Sequence, residues 1–486
     1  MLNFIKKFKI YLLILLILIV FSYLFIITSI ENDRLQVLKS LLNVEQKLFI
    51  KKYIFPYKVI SQQQELISKQ LKTISELQKE KISEISEQQK LKKLIYELNL
   101  KLDSGFSYLE LKEKEDGKKI KTIESIIKLS NNQILKKFQL TSGFYSGINN
   151  KFPGSGYIDF YEDNIIVLSS RGNLVFGKYL NNNINFKQIN NNINEYIALK
   201  QFKKNKWFSL KDLLVFNDKI FISYTEEIKE NCWNTSVIYG DINYENIKFS
   251  KLFSPTECIP TINDEGFNAH QSGGRIISLD INHIILSIGD YRNRALAQDN
   301  QSVNGKIIKL NIFNNDYEII SMGHRNPQGL YFDEENNFIL ETEHGPAGGD
   351  EINIIMINKV SGEKIPNYGW AISSTGEHYG KYENNKELYK KYPLYKSHSD
   401  YGFIEPLKSF VPSIGISEIV KIKESKYVAS SLKDSSLYFF DLNSLRQLIN
   451  LNRVEVFERI RDLRFKDNKL YLFMEDTASI GVIDFK

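Results

Sequence analysis

The sequence predicts an all-β fold, a six-bladed β-propeller, preceded by an N-terminal transmembrane helix and a helical stalk. Three observations carry the prediction. Short β-rich runs separated by turn residues recur six times beyond residue 150. An uncharged apolar run fills Ile10 to Ile30. Between them, apolar residues return at helical spacing from Val59 to Leu102. The chain therefore divides into a cytoplasmic tip and anchor over 1–31, a helical spacer over 32–135, and the propeller over 140–486.

The first element is "IYLLILLILIVFSYLFIITSI", preceded by Lys6, Lys7 and Lys9. At about 1.5 Å per helical residue it is long enough for a hydrocarbon core of about 30 Å. Lysines ahead of it favour a cytoplasmic N-terminus. The expectation is a single pass of the inner membrane with the propeller on the periplasmic side. The competing reading is a cleaved signal peptide, whose apolar region is normally shorter and ends in a small-x-small site; "ITSIEND" is a poor one.

The second element is rich in Lys, Glu, Gln, Ser, Leu and Ile. Ile67, Leu71, Ile74, Ile82, Ile85, Leu91, Ile95, Leu98 and Leu102 follow a helical period. A strict heptad fails, because Gln78, Lys81, Gln88 and Lys92 fall on the seam. Two readings stand: a coiled-coil stalk through which copies associate over 59–102, or a helix lying on the domain.

The third element repeats one unit, strand–turn–strand–turn–strand. It is seen at "GYIDFYEDNIIVLSSRGNLVFGKYL", at "DLLVFNDKIFISYTEEI", and again at "RDLRFKDNKLYLFMEDTASIGVIDF". A period of about 50 residues built from antiparallel strands points to propeller blades, since each small sheet needs neighbours on both faces. A β-sandwich leaves the period unexplained.

The composition excludes some functions. Net charge is +6 and comes from Lys rather than Arg, with no basic stripe interleaved with aromatics, so no nucleic-acid partner is expected. Cys232 and Cys258 fit no zinc spacing; in an exported domain they suit a disulfide, with two buried thiols as the alternative.

Arg is scarce, and nine of eleven lie from Arg275 onward, several beside turn residues. Guanidinium forks bind carboxylates bidentately. "ETEHGPAGGDEIN" and "GHRNPQGL" are dense in Gly, Pro and acids, a composition suited to a hard cation. His270 stands in "EGFNAHQSGGR", between a polar approach and a Gly-Gly that opens a strand. His283 and His324 read as structural, and Trp370 as a blade anchor; His378 and His398 receive no role.

In order along the chain, "HQSGGR", "SIGD", "GHRNPQGL", "EHGPAGGDEIN" and "NYGW" resemble the glucose/sorbosone dehydrogenase family, the soluble-type pyrroloquinoline quinone (PQQ) dependent aldose sugar dehydrogenases. The resemblance is strong over 265–370. It resumes at "VPSIGIS", "SSLKDSSLYFFDL" and "ERIRDLR", is weak over 140–230, and is absent over 1–135.

The resemblance implies a six-bladed propeller, PQQ and Ca²⁺ as cofactors, an aldose sugar as substrate and an unidentified electron acceptor. By position, His270 matches the base that takes the proton of the anomeric hydroxyl, and Asp290 the acid beside it. Arg325, Asn326, His344, Ser413, Lys433, Arg459 and Arg461 match cofactor contacts. The carbonyls of Gly345 and Pro346 match ligands of a Ca²⁺ that polarises the quinone. Asp350, Glu351 and Tyr368 match a second, structural Ca²⁺ site. This chain departs from the pattern in four places. His344 stands where relatives often have Gln, and Ser413 replaces a Thr. "LSSRGNL" replaces an expected "TER-G-I", and the linker 371–410 is short. A membrane-anchored oxidoreductase making a lactone is one reading; a non-enzymatic propeller of the same ancestry, binding a protein or glycan, is the other.

Overall fold

The computed structural model describes residues 119–140, 156–197, 209–357, 364–379 and 386–485, residues 171 and 264 excepted, and helical pieces nearer the N-terminus. Six antiparallel sheets form around a ring. Their innermost strands are Gly156–Tyr161, Leu210–Phe216, Gly273–Asp280, Pro327–Asp333, Ile416–Lys423 and Ile460–Lys466. Each touches the next, and the sixth returns to the first. The six-bladed propeller is the architecture expected from the repeat.

Local chemistry builds the blades. Strand pairs are joined by two-residue turns of Asn and Asp in the left-handed region, for example Asn217 (φ 50°) with Asp218 (φ 55°), and Asp467 (φ 50°) with Asn468 (φ 55°). Such turns match the twist of hairpin strands. Apolar residues then alternate onto the two faces of each sheet. Phe338, Leu340 and Ile352 of the fourth blade pack with Ile416 and Tyr427 of the fifth. Ile339 and Ile355, on the opposite face, pack with Ile285 and Ile307 of the third. Each buried Ile or Leu of this kind contributes about 1.5–3 kcal/mol.

The axis is charged rather than apolar. Arg275 is 3% exposed. Its Nη1 lies 2.8 Å from Asp212 Oδ1, 2.9 Å from Asp462 Oδ1 and 3.0 Å from Glu418 Oε2. Arg464 joins Asp462 at 2.9 Å and Glu418 at 3.4 Å. The acids also stitch blade to blade through backbone amides. Asp159 accepts from Val215 N (2.7 Å), Asp212 from Ile276 N (2.8 Å), Glu418 from Leu330 N (3.1 Å) and Asp462 from Ile158 N (2.7 Å).

One boundary is corrected. The propeller does not start at 140, and the spacer does not run to 135. Ile123–Lys128 and Ile134–Gln139 are strands that pair onto Ser479–Asp484 and complete the sixth blade. Lys119–Lys121 adds to the outer edge of the first blade, along Asn183–Asn191. These runs carry little β alternation of their own, and their partners lie at the far end of the chain. Cys232 and Cys258 form a disulfide on the second blade.

Residues 1–96 form a separate unit. Residues 14–24 and 64–81 are helical and exposed. The helix Val44–Phe49 opens with a reciprocal cap: Asn43 Oδ1 accepts from Gln46 N at 2.8 Å, and Gln46 Oε1 from Asn43 N at 3.1 Å. Among the described residues no helix is long and apolar enough to cross a membrane. The ends of the run Ile10–Ile30, and most of the expected stalk beyond residue 81, lie outside the described residues.

Candidate active site

At one mouth of the ring an open cavity of 680 Å³ receives side chains from every blade. His270, Arg325, Asn326, His344, Ser413, Lys433, Arg459 and Arg461 all line it, as do Gly345, Pro346 and Asp350. Positions nearly 200 residues apart in sequence are thus brought to one wall, because each lies where a strand begins or a loop caps a blade.

His270 sits in a single 3₁₀ turn, Ala269–Gln271. Asn268 Oδ1 accepts the His270 amide at 2.9 Å, and the Gln271 carbonyl accepts from Tyr291 N at 2.8 Å. The turn projects the imidazole, itself exposed, into the cavity.

Asp290 does not bond to His270. It is wholly buried behind the wall. Its Oδ2 accepts from Trp370 Nε1 at 2.7 Å and its Oδ1 from the Arg292 amide at 2.7 Å. The Gln271 amide satisfies both neighbours when its nitrogen faces Asp290 Oδ1 (2.8 Å) and its oxygen faces Arg325 Nη2 (3.0 Å). Burial pushes the Asp290 carboxyl up, against the pull of Arg325. Asp290 therefore fixes the residue after the histidine, Arg325 and Trp370, rather than the imidazole tautomer.

The cations are held in place by carboxylates and carbonyls. Arg461 Nε meets Glu475 Oε1 at 2.6 Å and its Nη1 meets Gln328 Oε1 at 3.0 Å. Arg459 Nε meets Glu475 Oε2 at 3.0 Å. Arg325 Nη1 donates to the His344 carbonyl at 2.7 Å, and its guanidinium lies 5.3 Å from the Trp370 ring centre. Lys433 is exposed on a turn that hugs Gly415; a Cβ there would stand 2.9 Å from Lys433 N, and φ is +66°. Seven Lys and Arg side chains line the cavity against two carboxylates, so the site attracts anions.

His344 Nε2 lies 2.5 Å from the Ile416 carbonyl and its Nδ1 3.5 Å from Asn326 Nδ2, which assigns the proton to Nε2. Burial holds this imidazole below its ordinary pKa, with Arg461 and Arg325 reinforcing it against the pull of Asp350.

The carbonyl-bearing loop at Gly345 and Pro346 folds tightly on itself: a Cβ on Gly345 would stand 1.9 Å from the Gly349 oxygen. Ser413 Oγ approaches the Pro346 carbonyl at 3.5 Å. These oxygens on the cavity wall fit a hard cation.

Asp350, Glu351 and Tyr368 do not form a comparable set. Asp350 accepts amides from Gly345 (3.2 Å), Gly415 (2.6 Å) and Ile416 (3.1 Å). Glu351 and Tyr368 lie off the cavity, where His398 stands between them, 3.5 Å from Glu351 Oε1 and 2.9 Å from the Tyr368 carbonyl. Asp350 faces the cavity and the other two do not, so the structure does not bring the three residues to one point.

Sequence reasoning missed Lys211, Gln271, Arg275 and Glu475, all on the wall. Arg275 is visible inside "HQSGGR", directly after a Gly-Gly whose positive φ values (61° and 114°) turn the chain into the strand. Lys211 carries no local mark. Burial, then Arg461, push its ammonium down to about 7.

A family model described as glucose / sorbosone dehydrogenase matches residues 212–482, just over half of the chain. The chain is 25% identical over 283 residues to the aldose sugar dehydrogenase YliI of Escherichia coli, covering 54% of this chain and 71% of that protein. It is 29% identical over 222 residues to the uncharacterized protein slr1608 of Synechocystis sp., covering 40% of this chain and 50% of the relative. The chain thus spans about half the length of this last relative. The PQQ-bound aldose sugar dehydrogenase of Streptomyces coelicolor superposes with a TM-score of 0.50 at 16% identity, covering 72% of this chain and 98% of that one. At that identity the likeness is one of fold.

Proposed function

The chain belongs to the glucose/sorbosone dehydrogenase family, and from that membership we propose that it oxidises an aldose at C1 to the lactone, with PQQ as hydride acceptor. One observation carries the reading: His270, Arg325, Lys433 and Arg461, from separate blades, share a single cavity. When bound, PQQ supplies an electron-poor quinone carbon that takes the hydride, and carboxylates that need cationic partners.

The chain's own groups account for the remainder. Arg325, Lys433, Arg459 and Arg461 receive the carboxylates and quinone oxygens, the Arg forks already aimed by Glu475, Gln328 and the His344 carbonyl. Asn326 and Ser413 complete the cofactor wall, with neutral His344 beneath. Gly345 and Pro346 present carbonyls to Ca²⁺. His270 accepts the proton of the anomeric hydroxyl as the C1–H leaves as hydride. A neutral imidazole suits that task near neutral pH.

The intact cation set favours an enzyme over the alternative of a non-enzymatic propeller binding a protein or glycan. The test is aldose-dependent reduction of a dye by the purified full chain with PQQ and Ca²⁺. Neither quinone binding nor dye reduction would be seen if the reading is wrong.

We place the propeller on the periplasmic face of the inner membrane, anchored through Ile10–Ile30, with self-association through 59–102. The uncharged run and the lysines before it support this placement. Extraction of the chain by alkaline carbonate, without detergent, would remove the anchor; a monomer in sedimentation would remove the association.

A further inference from the structure

Between the third and fourth blades lies a buried polar pocket of side chains that the proposed reaction does not use. The strand Phe338–Glu343 alternates, so Ile339, Glu341 and Glu343 share the face toward the third blade. Asn353 stands opposite Glu341 on the adjacent strand, and Glu351 opposite Glu343. From the other side comes His324, stacked on Tyr368 with ring centres 4.9 Å apart. His324 and Glu341 are 0% exposed and Glu343 is 3% exposed.

The donor atoms are incompletely used. Asn353 Nδ2 bonds Glu341 Oε2 at 2.9 Å, but Glu341 Oε1 has no hydrogen bond. His324 Nε2 pairs with Ser321 Oγ at 2.9 Å, while Nδ1 has none. Glu343 Oε2 accepts the Arg325 amide at 2.7 Å. One ligand atom from each of His324, Glu341 and Glu343 lies within 4.8 Å of the others. Among the described residues no Lys or Arg side chain bonds either glutamate. Two buried carboxyl groups without a cation are costly to ionise, and the unpaired His324 Nδ1 adds to that cost.

We propose that His324 Nδ1, Glu341 and Glu343 bind one divalent transition-metal ion of the Zn²⁺ or Mn²⁺ class. One neutral nitrogen and two carboxylates balance a double charge. The nitrogen selects against Ca²⁺, which takes oxygen ligands. The ion sits behind the cavity wall rather than in it. Through Glu343 it steadies the amide of Arg325, whose guanidinium faces the cavity.

The proposal is independent of the quinone and the sugar, and its test uses neither. Full-length chain stripped with a chelator is dialysed against Mn²⁺ or Zn²⁺. The expected result is one tightly held ion, a raised Tm, and for Mn²⁺ a nitrogen coupling in pulsed EPR. Ca²⁺ should not displace Mn²⁺ or Zn²⁺ from this site, and Ca²⁺ held at the Gly345 and Pro346 carbonyls should be unaffected by Glu341→Gln. Glu341→Gln should weaken binding by about tenfold or more. Glu341→Leu should fold without metal, since apolar replacement of a buried charge is tolerated, and its Tm should not respond to either ion. Absence of binding, an unchanged affinity in Glu341→Gln, or Mn²⁺ bound without nitrogen coupling would each overturn the proposal. So would loss of the ion in Glu351→Gln with retention in Glu341→Gln, which would place it on the neighbouring set instead.

Discussion

Arg275 Nη2 donates to the backbone carbonyl of Arg461 at 2.8 Å. The charged axis of the ring and the cation that faces the cavity are therefore one connected piece. Arg275 also donates Nε to the Gln328 carbonyl at 2.6 Å, and Gln328 in turn holds Arg461. Three blades fix the position of a single guanidinium.

Arg275→Met is expected to cost about 3–5 kcal/mol, because it leaves three buried acids, Asp212, Glu418 and Asp462, to Arg464 alone. Urea unfolding measures this directly. A loss below about 1 kcal/mol would show that the acids find another partner.

His270→Ala should retain quinone affinity and lower turnover by about 10²–10⁴-fold, the usual range for a general base. The imidazole is exposed at the end of a short turn, so the fold should not change. Full turnover in the variant would remove the base assignment while leaving the cofactor site intact.

Lys211 gives a pH signature. Its folded pKa, about 7, lies below the ordinary 10.5. The native state binds fewer protons than the unfolded state between these values, so stability rises with pH across that window. Below pH 7 the cost of the buried charge is fully present. Lys211→Met should therefore be more stable than the parent at pH 6, by on the order of 2 kcal/mol given the partial exposure of the amine. The gap should close toward pH 10. Thermal melts of both proteins across pH 6–10 provide the check, and a constant gap would contradict the assignment.

Cys232→Ser opens a loop of 26 residues and should cost about 3 kcal/mol. Reduction of the parent protein should lower its stability by a similar amount, and should have no effect on the variant.

Much of this architecture could be read in advance because it is written locally. Two-residue Asn and Asp turns between alternating strands announce hairpins, and their recurrence announces blades. The cavity is legible through ordered motifs whose residues sit at strand starts or in the loops that cap blades. What escaped is non-local. Ile123–Lys128 reads as spacer because its sheet is completed by residues at the other end of the chain. Asp290 follows a strand in "SIGD" and reads as the partner of His270, yet Trp370, eighty positions on, takes its carboxylate. Glu341 and Glu343 looked like loop acids beside a Gly-rich stretch. The period of two in "ETE", continuing Ile339, was the sign that both point inward.

The closure of the sixth blade has a consequence for how the protein is born. Lys136 reaches Asp484 across 348 positions, so the early strands are made long before the hairpin that will cover them. Until then they are open edges, the surfaces most prone to pair with another chain, and non-local topologies of this kind close slowly. Loss of the last hairpin would leave an arc with two raw ends rather than a smaller ring.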